Sequence, residues 1–72
     1  MKNCIKVERA KKSLTQADLA KMVQVSRQTI NAMELGKYNP SIVLSLKIAH
    51  VFGCLVDDVF TLEDDDWASK IN

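Results

Sequence analysis

The segment VSRQTINAMELGKYNP carries three side chains that can make directed hydrogen bonds from one side of a helix. Arg27, Gln28 and Asn31 are spaced so that they share one helical face, opposite an apolar stripe that begins at Ile30. A guanidinium group offers several donors in a fixed plane, and each amide offers both donors and an acceptor. A face that is merely solvated usually carries Glu and Lys pairs four residues apart instead. The spacing therefore predicts a surface that binds a partner through hydrogen bonds.

The charge of the chain is divided unevenly along its length, although the net charge is only +1. Residues 1–56 carry nine Lys and Arg against three acidic residues, a balance of +6. Residues 57–72 carry six acidic residues against one Lys, a balance of −5. A basic body suits a polyanionic partner, whereas the acidic tail either keeps the protein soluble or limits its non-specific adhesion to that partner.

The composition argues against several classes of protein. A chain of 72 residues suits one domain with a single compact core. Cys4 and Cys54 do not form a C-x-x-C pair, and we interpret them as reduced, mostly buried thiols. His50 has no acidic or Cys partner at ligand spacing, so we expect no enzyme, no metal site, no cofactor and no small-molecule ligand. No apolar run is long enough for a signal peptide or a membrane span, which predicts a cytoplasmic protein without a membrane partner.

Two helices with well-defined starts position the hydrogen-bonding face. Thr15 can cap a second helix over about 16–23, with Asp18 completing a capping box. Ser26 can cap a third helix over about 27–35, and Gly36 can end it in the left-handed conformation. Because the link between these helices is so short, they must cross at a large angle, as in a helix-turn-helix.

The remaining segments predict three more helices and therefore an all-α fold of five helices. The fourth helix, capped by Ser41 and stopped by Gly53, has apolar residues nearly all round, which predicts that it is buried. The first helix offers a weaker apolar pattern at Ile5, Val7 and Ala10, and a short last helix precedes a segment, FTL, that can extend as a strand against the N-terminal residues.

Four motifs in this order are similar to those of the Cro and lambda-repressor-like helix-turn-helix family of bacterial and phage transcriptional regulators. They are T-Q-x-x-L-A, V-S-R-Q-T-I, E-x-G-K-Y-x-P-S and K-I-A, and the resemblance covers residues 5–60. It implies a compact lambda-repressor-like domain over residues 1–62 that binds double-stranded DNA, followed by an acidic tail over residues 63–72. The third helix would then be the recognition helix.

The resemblance implies a role for each polar residue near this helix. Arg27, Gln28 and Asn31 would read base edges in the major groove, where a guanidinium suits guanine and an amide suits adenine. The residues expected to contact the DNA backbone are Gln16, Ser26, Thr29, Lys37, Tyr38 and Asn39. For these the alternatives stay open, since Gln16 and Thr29 can be ordinary polar residues beside caps and the last three can form a polar turn.

Two further features concern helix packing. By the same resemblance, Arg9 and Glu34 are expected to form an internal ion pair between the first and third helices. Glu8 departs from the family pattern, because relatives often place Leu or Ile there. Either the first helix is rotated so that Val7 faces the core, or Glu8 reaches a basic neighbour.

Exposed apolar residues near the C-terminus predict a two-fold homodimer. The predicted patch comprises Leu55, Phe60, Leu62 and Trp67, although Phe60 can also help to close the core and Trp67 can equally belong to a frayed tail. A dimer would place its recognition helices about 34 Å apart and select a near-palindromic operator, as a repressor does. The alternative function is an antitoxin or another helix-turn-helix module that binds protein.

Overall fold

The computed structural model describes residues 1–68, which form six helices and two short strands. The helices are α1 (Ile5–Lys11), α2 (Gln16–Val23), α3 (Arg27–Glu34), α4 (Ile42–Phe52), α5 (Val56–Val59) and α6 (Asp64–Ala68), and the strands are β1 (Lys2–Asn3) and β2 (Phe60–Thr61). The architecture confirms the predicted fold of helices with a short C-terminal strand. The difference is α6, which lies in the segment predicted as an acidic tail.

The start of α2 is fixed by reciprocal side-chain caps. The Thr15 hydroxyl accepts a hydrogen bond from the Asp18 backbone N–H at 2.9 Å, and the Asp18 carboxylate accepts one from the Thr15 N–H at 2.9 Å. These contacts satisfy donors that the first helical turn leaves without partners. The pKa of the Asp18 carboxyl lies below its ordinary value. The larger cause is the hydrogen bond from the Thr15 backbone N–H, and the smaller cause is the interaction with the Thr15 hydroxyl.

The turn between α2 and α3 depends on one residue in the left-handed conformation. Gln24 has φ 65° and ψ 43°, which an unbranched residue tolerates at a cost of about 1 kcal/mol. Its Oε1 accepts a hydrogen bond from Lys47 Nζ at 3.1 Å, so the turn is tied to α4. The next residue, Val25, packs against the core and donates its N–H to the Ala20 carbonyl at 3.0 Å. These contacts hold α2 and α3 at a fixed angle.

The core lies between α2, α3 and α4 and is closed by α1, α5 and β2. Its buried apolar side chains are Ile5, Leu19, Ala20, Val23, Ile30, Met33, Leu44, Ile48, Ala49, Phe52, Val59 and Phe60. Of the residues predicted for the first helix only Ile5 is buried, so the prediction was wrong for Val7 and Ala10. The alternative that Glu8 reaches a basic neighbour is observed instead, because the Glu8 carboxylate accepts a hydrogen bond from Lys11 Nζ at 3.1 Å.

One side of α4 is exposed, contrary to the prediction that the whole helix is buried. Ile42 is 75% exposed, and Val43 and Leu46 are also exposed. The apolar pattern was misleading because the other helices cover only the Leu44 and Ile48 side of α4. The exposed side borders an open groove of about 400 Å³, which is lined by Met22, Gln24, Val43, Leu46, Lys47, His50 and Val51.

The two strands join the ends of the domain. β1 and β2 pair antiparallel, with Lys2 opposite Thr61 and Asn3 opposite Phe60. Beyond them α6 begins with an acidic first turn, where the Asp66 carboxylate accepts a hydrogen bond from the Glu63 N–H at 2.7 Å. Acidic side chains stabilise the N-terminus of a helix, so a segment predicted as tail forms a short helix. Residues 69–72 of the predicted tail lie outside the described part of the chain.

Candidate nucleic-acid interface

The exposed face of α3 carries the three side chains singled out by the sequence. Arg27, Gln28 and Asn31 are all exposed, whereas Ile30 and Met33 on the opposite side are fully buried. An α-helix has a width that fits the major groove of B-DNA. Arg27, Gln28 and Asn31 are called the reading face below.

Both ends of α3 are fixed to the domain. At the N-terminus the Ser26 hydroxyl accepts a hydrogen bond from the Thr29 N–H at 3.2 Å. At the C-terminus Gly36 has φ 75°, a left-handed conformation that glycine adopts without a steric penalty. The Asn3 side chain donates from Nδ2 to the Met33 carbonyl at 2.8 Å, which ties β1 to the last turn of α3. The helix therefore has a capped start, and its last turn is tied to the rest of the domain.

The Asn3 contact was not found from the sequence. It joins residues 30 positions apart, and a single Asn near the N-terminus carries no periodic or motif signal.

The structure brings Arg9 of α1 against Glu34 at the end of α3. The distance from Arg9 Nε to Glu34 Oε2 is 2.6 Å and that from Arg9 Nη2 to Glu34 Oε1 is 3.0 Å, a two-pronged contact. The Glu34 side chain is 6% exposed and that of Arg9 is 13% exposed. Arg9 Nη1 also donates to the Leu14 carbonyl at 2.9 Å, so one guanidinium joins α1, the loop before α2 and the end of α3.

The carboxylate of Glu34 stays ionised in this setting. Burial by itself would raise the pKa of Glu34, but hydrogen bonds from Arg9 and then Gln16, together with the positive charge of Arg9, outweigh it. The resulting pKa lies below the ordinary value of 4.5. The reciprocal contact raises the pKa of Arg9, chiefly through its hydrogen bond to Glu34.

Gln16, expected to contact the DNA backbone, makes hydrogen bonds within the protein. Its Nε2 donates to Glu34 Oε1 at 3.0 Å and to Asn31 Oδ1 at 3.1 Å. The residue is half-buried and lies between the ion pair and the reading face. This contact between α2 and α3 could not be predicted from the sequence, because it depends on how the two helices cross.

The other polar residues expected at the DNA backbone flank α3. Lys37, Tyr38 and Asn39 are exposed in the loop after the helix. At the start of α3, the hydroxyl groups of Ser26 and Thr29 lie 3.0 Å apart and form a hydrogen bond with each other. The structure thus places hydrogen-bonding groups at both ends of the reading face.

The predicted dimer patch is only partly available at the surface. Leu55 is 72% exposed, Trp67 is 69% exposed and Leu62 is also exposed. Phe60 is 7% exposed, because β2 turns this side chain into the core, so its assignment to an exposed dimer patch was wrong. The term C-terminal patch is used below for Leu55, Leu62 and Trp67.

Residues 1–68 contain neither a metal-binding cluster nor a membrane-spanning helix. No group of three or more His, Cys, Asp or Glu side chains in that range is arranged to hold a metal ion. None of the helices in that range is long and apolar enough to span a membrane. Cys4 and Cys54 are free and half-buried, and burial raises the pKa of the Cys54 thiol.

Comparison with other sequences gives consistent matches. A family profile described as Helix-turn-helix matches residues 5–59. The chain is 56% identical over 66 residues to an uncharacterised HTH-type transcriptional regulator of Methanocaldococcus jannaschii, covering 92% of this chain and 100% of that protein. A second such regulator, from Archaeoglobus fulgidus, is 47% identical over 70 residues, and the match covers 97% of this chain and 99% of that protein. The uncharacterised HTH-type transcriptional regulator YgzD of Bacillus subtilis is 44% identical over 66 residues, and the match covers 92% of this chain and 100% of that protein.

Comparison with solved structures points the same way. The crystal structure of the clp gene regulator ClgR from Corynebacterium glutamicum superposes with a TM-score of 0.70 at 30% sequence identity. The match covers 75% of this chain and 57% of the ClgR chain, so this chain spans little more than half of that structure.

Proposed function

The chain belongs to the helix-turn-helix family of transcriptional regulators, and from this premise we propose that it is a repressor that binds a near-palindromic DNA operator as a homodimer. The family supports DNA binding and transcriptional regulation. Repression follows if the bound protein occupies a promoter. We further propose that the protein acts in the cytoplasm and needs no cofactor.

The observation that supports this function most strongly is the reading face on α3. Three exposed side chains with directed hydrogen-bonding groups lie on a helix whose ends and apolar side are fixed. Arg27 can donate two hydrogen bonds to guanine O6 and N7, and Gln28 or Asn31 can make paired bonds to adenine. Each such pair contributes about 1–3 kcal/mol of discrimination between bases.

The residues at the two ends of α3 suit contacts to phosphates. Lys37, Tyr38 and Asn39 follow the helix, and Ser26 and Thr29 precede or open it. The N-terminus of α2 adds free N–H groups beside Gln16 and the positive end of a helix dipole. Such contacts position a protein on the duplex without reading its sequence.

Substitutions in the two groups should have different effects on binding. Asn31→Ala or Gln28→Ala is expected to relax the preference for one base pair while leaving the salt dependence of binding unchanged. Lys37→Ala should weaken binding to every duplex and reduce the slope of log K against log salt by about 1, because one phosphate contact is lost. Fluorescence anisotropy at several salt concentrations, on preferred and altered duplexes, measures both effects.

The control for Lys37 is Lys11→Ala, which removes the same charge from an exposed residue of α1 that pairs with Glu8 rather than with α3. This variant should keep the slope of the parent. Equal weakening of every duplex by Asn31→Ala, Gln28→Ala and Lys37→Ala alike would contradict the assignment of base reading to α3.

The C-terminal patch supports the homodimer. Leu55, Leu62 and Trp67 expose apolar side chains that a two-fold contact can bury. We expect Leu55→Lys to raise the dissociation constant of the dimer at least about tenfold, the equivalent of 1.4 kcal/mol. Val7→Lys, a matched change at an exposed apolar residue on α1, should leave it unchanged. Sedimentation velocity over a concentration series tests this, and a monomer at every concentration would rule out the dimer.

A further inference from the structure

A continuous chain of hydrogen bonds runs from α1 to the reading face. It starts with Arg9 and Glu34, whose closest atoms are 2.6 Å apart, and continues from Glu34 Oε1 to Gln16 Nε2 at 3.0 Å. The same Gln16 Nε2 then donates to Asn31 Oδ1 at 3.1 Å. Three helices thus contribute to a chain that ends on a side chain facing the proposed DNA site.

The orientation of both amides follows from the charge of Glu34. An ionised carboxylate can only accept hydrogen bonds, so Gln16 must present its NH₂ group to Glu34. The second hydrogen of that NH₂ group points to Asn31, so Asn31 must present its oxygen. With the Asn31 amide turned the other way, two NH₂ groups would face each other and neither could accept. The direction of every hydrogen bond is therefore set by the Arg9–Glu34 pair.

The consequence is a fixed donor on the reading face. Asn31 Nδ2 is turned away from Gln16 and donates no hydrogen bond within residues 1–68. A donor at this place matches base atoms that accept, such as purine N7, guanine O6 or thymine O4, and opposes the N4 amino group of cytosine.

We propose that Gln16 is a positioning residue, which, held by Glu34 and Arg9, fixes the Asn31 amide with Nδ2 toward the bases and so selects against cytosine at the base that Asn31 contacts. The inference rests on the proposed DNA-binding function. It gives Gln16 a role in sequence preference that a contact with phosphate alone would not have.

Two substitutions of Gln16 separate these roles. Gln16→Leu removes the donors and should reduce the preference at the base pair read by Asn31 about fivefold, within the range of one amide–base contact, while preferences elsewhere persist. Gln16→Lys should preserve that preference, because an ammonium group only donates and keeps the same polarity, even though its charge strengthens binding to every duplex. In an Asn31→Ala background, Gln16→Leu should change nothing further at that base pair.

The base preferences of the variants can be measured by binding to duplexes that carry each base at each position. If Gln16→Leu and Gln16→Lys change only the overall affinity and leave the preference profile of the parent intact, Gln16 is a phosphate contact only and the inference is wrong. Partial unfolding cannot imitate the expected result, since it lowers affinity for all duplexes by one factor.

A measurement without DNA tests the chain of hydrogen bonds by itself. The side-chain amide protons of Gln16 should exchange with water more slowly than those of Gln28, a matched amide on α3 that is exposed and makes no hydrogen bond within residues 1–68. Equal exchange rates in NMR spectra of the full chain would overturn the inference, whatever DNA the protein binds. Slow exchange of Gln16 in a protein that selects no duplex would instead overturn the proposed function and the reading role built on it.

Discussion

Replacement of Arg9 by alanine is expected to lower the free energy of unfolding by about 3 kcal/mol, since it leaves the Glu34 carboxylate buried without its charged partner. The Glu34 side chain is 6% exposed while Arg9 is in place, and the substitution removes two hydrogen bonds that a charged donor makes to its carboxylate. The Leu14 carbonyl also loses the donor it receives from Arg9. Removal of Arg9 therefore weakens the contacts of α1 with α3 and with the loop before α2.

Urea unfolding followed by circular dichroism measures this effect. Lys12→Ala is the matched control, because it removes a positive charge from an exposed residue at the end of α1 and should change stability by less than about 0.5 kcal/mol. Equal stability of Arg9→Ala and the parent would show that the ion pair does not hold α1 to α3.

The same pair predicts a dependence of stability on pH. Because the folded protein lowers the pKa of Glu34, its contribution is fully present above the ordinary value of 4.5 and is lost as the pH falls through the folded value. The difference in stability between the parent and Arg9→Ala should therefore be constant near neutral pH and shrink in acid.

Replacement of Ile30 by alanine should also be strongly destabilising, by about 2–5 kcal/mol. Ile30 is fully buried on the inner side of α3 and belongs to the main core. Truncation removes apolar contacts and leaves a cavity that close-packed neighbours cannot fill. In a domain whose total stability is about 5–10 kcal/mol, this is a large fraction.

The matched control is Gln28→Ala on the exposed side of the same helix. It should leave stability nearly unchanged, because alanine has the higher helix propensity and no buried contact is lost. The two variants thus separate the side of α3 that supports the fold from the side proposed to read DNA. Comparable destabilisation by both would contradict this division.

The helix pair α2–α3 could be predicted from the sequence because its signals are local. The start of α2 is defined by the contact between Thr15 and Asp18, and the start of α3 by the contact of Ser26 with the residue three positions later. Gly36 ends α3. Apolar spacing then shows which side of α3 is buried. The Helix-turn-helix match over residues 5–59 confirms the family that these motifs indicated.

Features that depend on distant contacts were predicted less well. The apolar outer side of α4 gave no indication that Ile42 and Leu46 remain exposed, since a sequence pattern cannot show which helices cover a face. Phe60 could be assigned to the core or to a dimer patch until its strand was placed against β1. The sequence pattern likewise could not show that the side of α1 that carries Val7 faces solvent.

The hydrogen bonds around Gln16 could not be predicted for a related reason. Gln16 lies 15 positions before Asn31 and 18 positions before Glu34, and its contacts with them depend on the crossing angle of α2 and α3. A resemblance to a family indicates which residues lie near DNA. It does not show which atoms of those residues are already engaged within the protein.

The most direct test of the central claim is selection of bound duplexes from a random pool at near-physiological salt, followed by sequencing. The proposed function predicts enrichment of a two-fold symmetric motif, with half-sites about one helical turn apart. Enrichment of no sequence by the folded protein would contradict DNA reading by α3 and favour a protein partner instead.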